Sequence, residues 1–487
     1  MGREEFDWGP EAWEKAGRRA LELATAVSTR WEERRPAPTV SPAEVRQRFR
    51  EPLPAAGVPF EEVMSRLEDA TELSTYIGHP RWLAYITSSP APVGVLTDLV
   101  ASAMNSNIGL WRGGPAATAI ELQSIEWLKE LLGYPPEAEG VYSSGGQLAN
   151  VLALAVMRDR MAGWDIRNAG TREGPRLRIY ASDELHYCHQ QAAEMLGLGR
   201  DALRLVPSDD EYRMRIDALE ELIAADRDAG DRPIGVVATA GTVGTGAVDP
   251  IPELRELTRA EGLWLHVDGA YGAFATIAPS APPELAALAE ADSIACDPHK
   301  WLYAPVDAGV TLVREPGQLE RAFSFHASYL HHDRHDDARV DIAELSPENS
   351  RRARGLKVWA SLVAYGSDGY RDMIERNIQV AAHLEQQVVQ TENLVLAAPR
   401  GLSIVCWRVE PPGLENDSLE ALQHRLIEEL ETRGIAMVSN ARLRDGRNAI
   451  RACVVNFRTT EEDVEAVVAA SAELGKRLAE ELGPPGR

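Results

Sequence analysis

Between about residue 115 and residue 315 the chain repeats one rhythm: a short apolar run, then a stretch with helical spacing. The runs are GVYSS, LRIYAS, ALRLVP, IGVVATA, LWLHVD, SIACD and GVTLV. Several are apolar at successive positions, not at alternate ones. A strand can be apolar on both faces only where both faces are covered, and a parallel sheet flanked by helices provides that cover. Segments such as LANVLALAVMRDRM and IDALEELIAADRDA supply the helices. The pattern predicts a doubly wound α/β core with a mostly parallel sheet, in which ligands gather beyond the carboxyl ends of the strands.

The flanks read differently. Residues 10–34 carry Trp13, Ala16, Ala20, Leu23 and Ala24 on one helical face, and Pro-rich stretches follow. Residues 1–75 lack the strand–helix rhythm, so they are expected to form a helical arm that buries its stripe on a second subunit. Residues 76–350 form the large domain. Residues 351–487 form a smaller α+β domain: helices in RRARGLKVWASLVAYG and GYRDMIERNIQVAAHLEQQVVQ, strands in LSIVCWRV, IAMVS and AIRACVVN, and a last helix from about residue 461.

Charge and cysteines narrow the function classes. A net charge of -24 over 487 residues argues against affinity for nucleic acid or anionic membranes. The charged start MGREEFDWGP is no signal peptide, and no uncharged apolar stretch is long enough to span a bilayer. Cys188, Cys296, Cys406 and Cys453 are far apart without CxxC spacing, which suggests reduced thiols, a cytoplasmic location and no metal site.

The chemistry sits at strand ends. SSGGQLAN places Gly145, Gly146 and Gln147 between a strand and a helix, where backbone N–H groups can hold an anion. Alone, this is equally an ordinary turn, and it is neither GxGxxG nor a P-loop. His186 follows LRIYAS, Thr242 lies in TAGTVGTGAVDP, and Asp268 ends the very apolar LWLHVD with Ala270 just beyond. A buried carboxylate needs a cation or a strong donor, although a capping role would also place an aspartate there. Lys300, in ACDPHKWLYAP, is set among Ile294, Cys296, Trp301 and Leu302. Burial would lower the pKa of its amine and make it a nucleophile.

Together these parts fit pyridoxal 5′-phosphate. Lys300 would form the imine, and Asp268 would pair with the ring nitrogen. Gly145, Gly146 and Gln147 would hold the phosphate, with His186 on one ring face and Ala270 on the other. The chain also resembles the pyridoxal phosphate-dependent group II decarboxylases, which include aromatic amino acid, glutamate and histidine decarboxylases. HPRWLAY, PAATAIELQSIEWL, SSGGQLAN, DELHY, TAGTVGTGAVDP, HVDGAYG, DPHKWL and RRARGLKVW carry the resemblance, in family order, over roughly residues 70 to 460. It implies the aspartate-aminotransferase fold of type I and a homodimer with active sites at the interface. It implies decarboxylation of an L-amino acid to an amine and CO2. It further implies that His299 contacts the cofactor or the substrate carboxylate, and that Thr242 supports the Asp268 side of the ring. Tyr85, Ile86, Ser88, Ile108 and Leu110, with Ile77 and Thr87, are implied around the substrate.

Two departures bear on the outcome. The segment 331–349, HHDRHDDARVDIAELSPEN, has no tyrosine, whereas aromatic amino acid decarboxylases carry one there that helps protonate Cα. His331, His332 or His335 would have to donate instead. Family members that form aldehydes often lack that tyrosine or the stacking histidine; here His186 is present. Aliphatic Ile77, Ile86 and Leu110 weaken an aromatic assignment. Arg112 is either a partner for an acidic substrate or a surface residue, and Asp297 would repel a phosphate unless it faces a donor. Oxidative deamination to an aldehyde, a carbon–carbon lyase reaction, and a silent dimer kept for binding are the alternative readings.

Overall fold

The computed structural model describes residues 6–325 and 339–482. All seven apolar runs are strands of one sheet: β1 (Glu139–Ser143), β2 (Leu177–Ser182), β3 (Leu203–Val206), β4 (Arg232–Thr239), β5 (Trp264–Asp268), β6 (Ser293–Cys296) and β7 (Gly309–Val313). Their spatial order is β1-β7-β6-β5-β4-β2-β3. Only β7 is antiparallel to its neighbours, so six strands point the same way. Strands β2, β5, β6 and β7 are buried at every position, as two covered faces require. The helix Gly146–Met161 lies against the sheet, and its residues from Ala149 to Met157 are all buried.

The order has a consequence for chemistry. The carboxyl ends of β1, β2, β4, β5 and β6 lie on one edge, so residues far apart in the chain meet there.

A second sheet, ordered β10-β11-β9-β8, is antiparallel throughout: β8 (Leu394–Leu396), β9 (Ile404–Val409), β10 (Ser439–Arg442) and β11 (Asn448–Cys453). Two details correct the sequence reading. Strand β8 is three residues long, too short for an apolar period to show. The strand read in IAMVS starts only at Ser439, and it runs on through Asn440 and Arg442 as a polar edge. Met437 instead bridges Trp82 from the segment before the large sheet. That segment is stitched to the small domain: the Leu83 amide donates to the Met437 carbonyl at 2.8 Å, and the Cys453 amide donates to the Leu83 carbonyl at 2.9 Å.

The two helical stretches after residue 350 form one element, Gly355–Gln390, broken at Gly366, whose φ of 67° only glycine takes readily. At its start Arg351 donates to Glu121 at 2.6 Å, both side chains fully buried. This pair accounts for part of the RRARG motif in structural terms.

Candidate active site

Five strand ends converge on one cavity. It is lined by Ile86, Gly146, Gln147, Asn150, His186, Cys188, Thr239, Gly241, Val243, Asp268, Ala270, Tyr271, Asp297 and Lys300. Of the residues singled out in the sequence, this set includes Gly146, Gln147, His186, Asp268, Ala270, Asp297, Lys300 and Ile86.

The glycines act by close approach. Gly145 has φ 144°, a conformation L residues rarely adopt, and it precedes the first turn of the helix Gly146–Met161. A Cβ on Gly146 would lie 2.7 Å from Asp297 Oδ2 and 2.8 Å from the Ala270 methyl. A Cβ on Gly309 would lie 2.5 Å from Gly145 Cα. Any side chain here would close the space in front of the helix N-terminus, whose free N–H groups suit an anion.

Lys300 sits in the short helix Pro298–Trp301, fixed beneath by Trp301, which is fully buried and stacked on Tyr271 at 4.8 Å. Its Nζ lies 3.2 Å from Asp297 Oδ2, and its side chain is 22% exposed, open to the cavity. Asp297 is buried, and its Oδ1 has no hydrogen-bond partner among the described residues. It lies beside the anion-binding turn, so it faces the Lys300 ammonium on one oxygen and open capacity on the other.

Asp268 is the best-tethered group. Its Oδ1 accepts the Ala270 amide at 3.1 Å, and its Oδ2 accepts His189 Nε2 at 2.8 Å. Burial alone would push its carboxyl up. The hydrogen bond and charge of His189, with the Lys300 ammonium, outweigh burial and hold it well below the usual carboxylate range. In the same way burial would lower His189, but the bond to Asp268 and the nearby Cys188 raise it. Neighbouring His266 is pushed down to about 3 by burial, then by the charge of His189, so it is neutral.

His189 was not singled out from the sequence, although it stands two residues after the DELHY motif. The signal available was its position three residues after His186, on the same side of a helix start. Asn150, Cys188, Thr239, Gly241 and Tyr271 were equally unmarked. Sequence spacing also offered no metal-ligand set, yet folding brings Cys188, His189 and Asp268 together, with one donor atom from each within 4.8 Å of the others. The reason is register: His189 and Asp268 are 79 residues apart and meet only across the sheet edge. Their hydrogen bond places the fully buried His189 behind Asp268, which lines the cavity.

Of the other expected residues, His299 borders the cradle, its Cε1 3.3 Å from where a Gly145 Cβ would lie and its Nε2 3.8 Å from Asp297 Oδ2. Thr242 is buried in its own turn, with its hydroxyl 3.1 Å from that of Thr245 and accepting the Ala247 amide at 3.1 Å. His299 is held through Nδ1 at 2.7 Å from the Ala308 carbonyl, and Ser88 donates to the His299 carbonyl at 2.9 Å. Ile108 is fully buried in the core of its own chain and offers no surface to a ligand. Leu110 precedes the turn Trp111–Gly113, on which Arg112 is exposed; neither lines the cavity. Tyr85 is 61% exposed at φ 57°, tilted against Trp82 at 6.2 Å. Ile77 and Thr87 are half-buried. His331, His332 and His335 lie outside the described residues.

The donor set fits pyridoxal phosphate: an amine open to the cavity, a buried tethered carboxylate, and a glycine cradle a single Cβ would fill. A family model described as the pyridoxal-dependent decarboxylase conserved domain matches residues 42–410. The chain belongs to the pyridoxal-dependent decarboxylases. It is 32% identical over 482 residues to the aromatic-L-amino-acid decarboxylase of Bacillus atrophaeus, covering 98% of each chain. It is 29% identical over 386 residues to the phenylacetaldehyde synthase of Petunia hybrida, covering 77% of this chain and 76% of that one. Among solved structures, Oryza sativa TDC with PLP and tryptamine superposes with a TM-score of 0.89 at 26% identity, covering 98% of this chain and all of that one. As a member of this family the chain is a pyridoxal phosphate-dependent amino acid decarboxylase of fold type I.

Proposed function

We propose that this decarboxylase converts an L-amino acid with an aromatic side chain into the corresponding amine and CO2. The observation that carries the reading is the convergence of Lys300, Asp268 and His186 on one cavity that Ile86 closes on the outer side. Likeness to the Bacillus enzyme over nearly the whole chain supports the substrate class.

Bound pyridoxal phosphate supplies an electron sink for the pair released when the Cα–carboxylate bond breaks. The chain supplies the rest. Lys300 Nζ would be the amine that holds the cofactor, and Asp297 Oδ2, at 3.2 Å, is placed to take the proton its ammonium must lose. Gly145, Gly146 and Gln147 would hold the phosphate at the helix N-terminus. Asp268 would hold the ring nitrogen, and His186 and Ala270 would flank the ring. This cage fixes the substrate's orientation and excludes water.

We further infer a homodimer in the cytoplasm. The helix Pro92–Met104 exposes Leu96, Leu99, Val100 and Met104, and the arm helix Pro10–Thr29 buries only Ala16 and Leu23. Apolar faces of this size call for a partner. The four cysteines are free and buried, as in a reducing compartment. Among the described residues no helix is long and apolar enough to cross a membrane.

A second reading is carried by the absence of tyrosine in 331–349 together with likeness to the Petunia synthase. Dioxygen and water would then be consumed, and aldehyde, CO2, ammonia and hydrogen peroxide formed. Incubating the holoenzyme with a pool of L-amino acids and identifying products by mass spectrometry tests both. An aromatic amine without peroxide supports the first. Aldehyde with stoichiometric peroxide supports the second, and an aliphatic or acidic amine alone overturns the substrate class.

A further inference from the structure

His189 is buried without exposed surface, and only one strong bond explains its place. Its Nε2 donates to Asp268 Oδ2 at 2.8 Å, while its Nδ1 has no hydrogen-bond partner among the described residues. A histidine kept in a core at the expense of an unpaired nitrogen must gain from its other bond. Asp268 gains in return. Each of its oxygens has one fixed donor, the Ala270 amide on Oδ1 and His189 on Oδ2, so the carboxylate cannot rotate.

The surroundings show that His189 is the group that balances this charge. His266, on the same strand as Asp268, is engaged elsewhere: Nδ1 lies 2.9 Å from Ser293 Oγ and Nε2 lies 2.8 Å from Asn150 Oδ1. Asn150 Oδ1 can only accept, so His266 Nε2–H donates to it, and the bare Nδ1 of the neutral ring takes the Ser293 hydroxyl proton while that oxygen accepts Trp264 Nε1–H at 2.9 Å. The Asn150 amide then turns towards Cys188 Sγ, at 3.6 Å. This chain of bonds leaves His266 neutral and spent. The remaining groups facing the pair are Cys188 and His186 at the start of the helix, and Lys300 across the cavity, whose amine is committed to the cofactor.

We propose that His189 is a positioning residue: it orients Asp268 and balances its charge, so that the proton shared between Asp268 and the cofactor ring nitrogen stays on the nitrogen. Without it, a buried carboxylate with no counter-charge takes that proton itself, because burial disfavours charge. The ring then loses its positive charge and with it much of its capacity as an electron sink. The proposal rests on Asp268 being the ring partner.

The test uses holoenzyme loaded with cofactor labelled at the ring nitrogen, and reads the nitrogen NMR shift alongside the cofactor dissociation constant. His189→Leu is compared with His189→Gln, whose amide can still donate to Asp268, and with Asp268→Asn. His189→Asn, too short to reach, serves if the leucine variant does not fold. The wild type is expected to show a pyridinium shift, and His189→Leu or His189→Asn a shift towards free pyridine with cofactor binding about tenfold weaker or more. His189→Gln is expected to recover both in part. A pyridinium shift and unchanged affinity in His189→Leu and His189→Asn, with both altered in Asp268→Asn, overturn the proposal and leave the ring-partner reading standing. No change in Asp268→Asn overturns both.

Discussion

The floor of the cavity and its outer wall are built on different principles. The floor is made by strand ends of one sheet, and its main charged and imidazole groups are tied by bonds within the same chain: Asp268 to His189 and Ala270, Lys300 to Asp297, His266 to Asn150 and Ser293. The outer wall comes from the segment around Trp82–Ser88, anchored on the small domain through Met437 and Ser439, with Tyr85 largely exposed and Leu110 and Arg112 away from the cavity. The difference teaches that the floor is held by bonds across one sheet edge, whereas the outer wall rests on a single segment pinned to the small domain.

The floor should therefore be the region where single substitutions cost most. Lys300→Ala removes the only amine lining the cavity among the described residues. Turnover should fall by about three orders of magnitude or more, and the visible band of the attached cofactor should vanish. A band that survives and remains reducible by borohydride would mean that another lysine carries the cofactor. Asp268→Ala should come next, with turnover down by about two to three orders of magnitude and cofactor retention affected less. Unchanged rates would remove Asp268 from the ring nitrogen.

The same contrast explains what could be read from the sequence. Strand ends are local features: an apolar run that stops at Asp268, or at Asp297 just before Lys300, marks its own chemistry, and all seven strands of the large sheet were legible in this way. Contacts across the edge depend on register, which no local pattern reports. His189 was missed for that reason, as was the reversal of β7, since an antiparallel strand covered on both faces reads like its parallel neighbours. On the wall, Ile108 was expected near substrate and is sealed in its own core, because an apolar residue in a loop looks the same whether it faces a ligand or a neighbour.

The outer wall is the place to break the comparison from the other side. Leu99 and Val100 are exposed by 61% and 58% on the helix Pro92–Met104. Replacing both with glutamate should leave the chain folded but weaken self-association by at least 3 kcal/mol or about a hundredfold, since burying each side chain is worth about 1.5–3 kcal/mol. Light scattering against concentration would measure it. A variant that stays dimeric would place the interface elsewhere, and one that becomes monomeric yet fully active would show the wall complete in one chain.

The smallest effect sharpens the picture of the floor. His266 is held neutral, pushed from its ordinary 6.5 down to about 3 by burial and by the charge of His189. Between those values the unfolded chain binds the proton and the folded chain does not. Its contribution to stability is therefore present above about pH 6.5 and is lost as the medium acidifies, by about 1.4 kcal/mol per pH unit at most. Two carboxyls work in the opposite sense: burial raises Glu184 to about 7 and Asp249 to about 6, so their folded forms keep a proton longer and stability falls as pH rises through that range. The whole enzyme should thus show a shallow pH dependence in which these slopes partly cancel. His266→Gln, which keeps both hydrogen-bonding ends, separates them. Its stability deficit against the wild type, from urea unfolding at pH 7 and at pH 5, should shrink on acidification by about 1–2 kcal/mol. Parallel curves at the two pH values would mean that His266 carries its proton in the folded state, with its Nδ1–H donating to Ser293 Oγ while Trp264 Nε1 still donates to that serine and Nε2–H to Asn150.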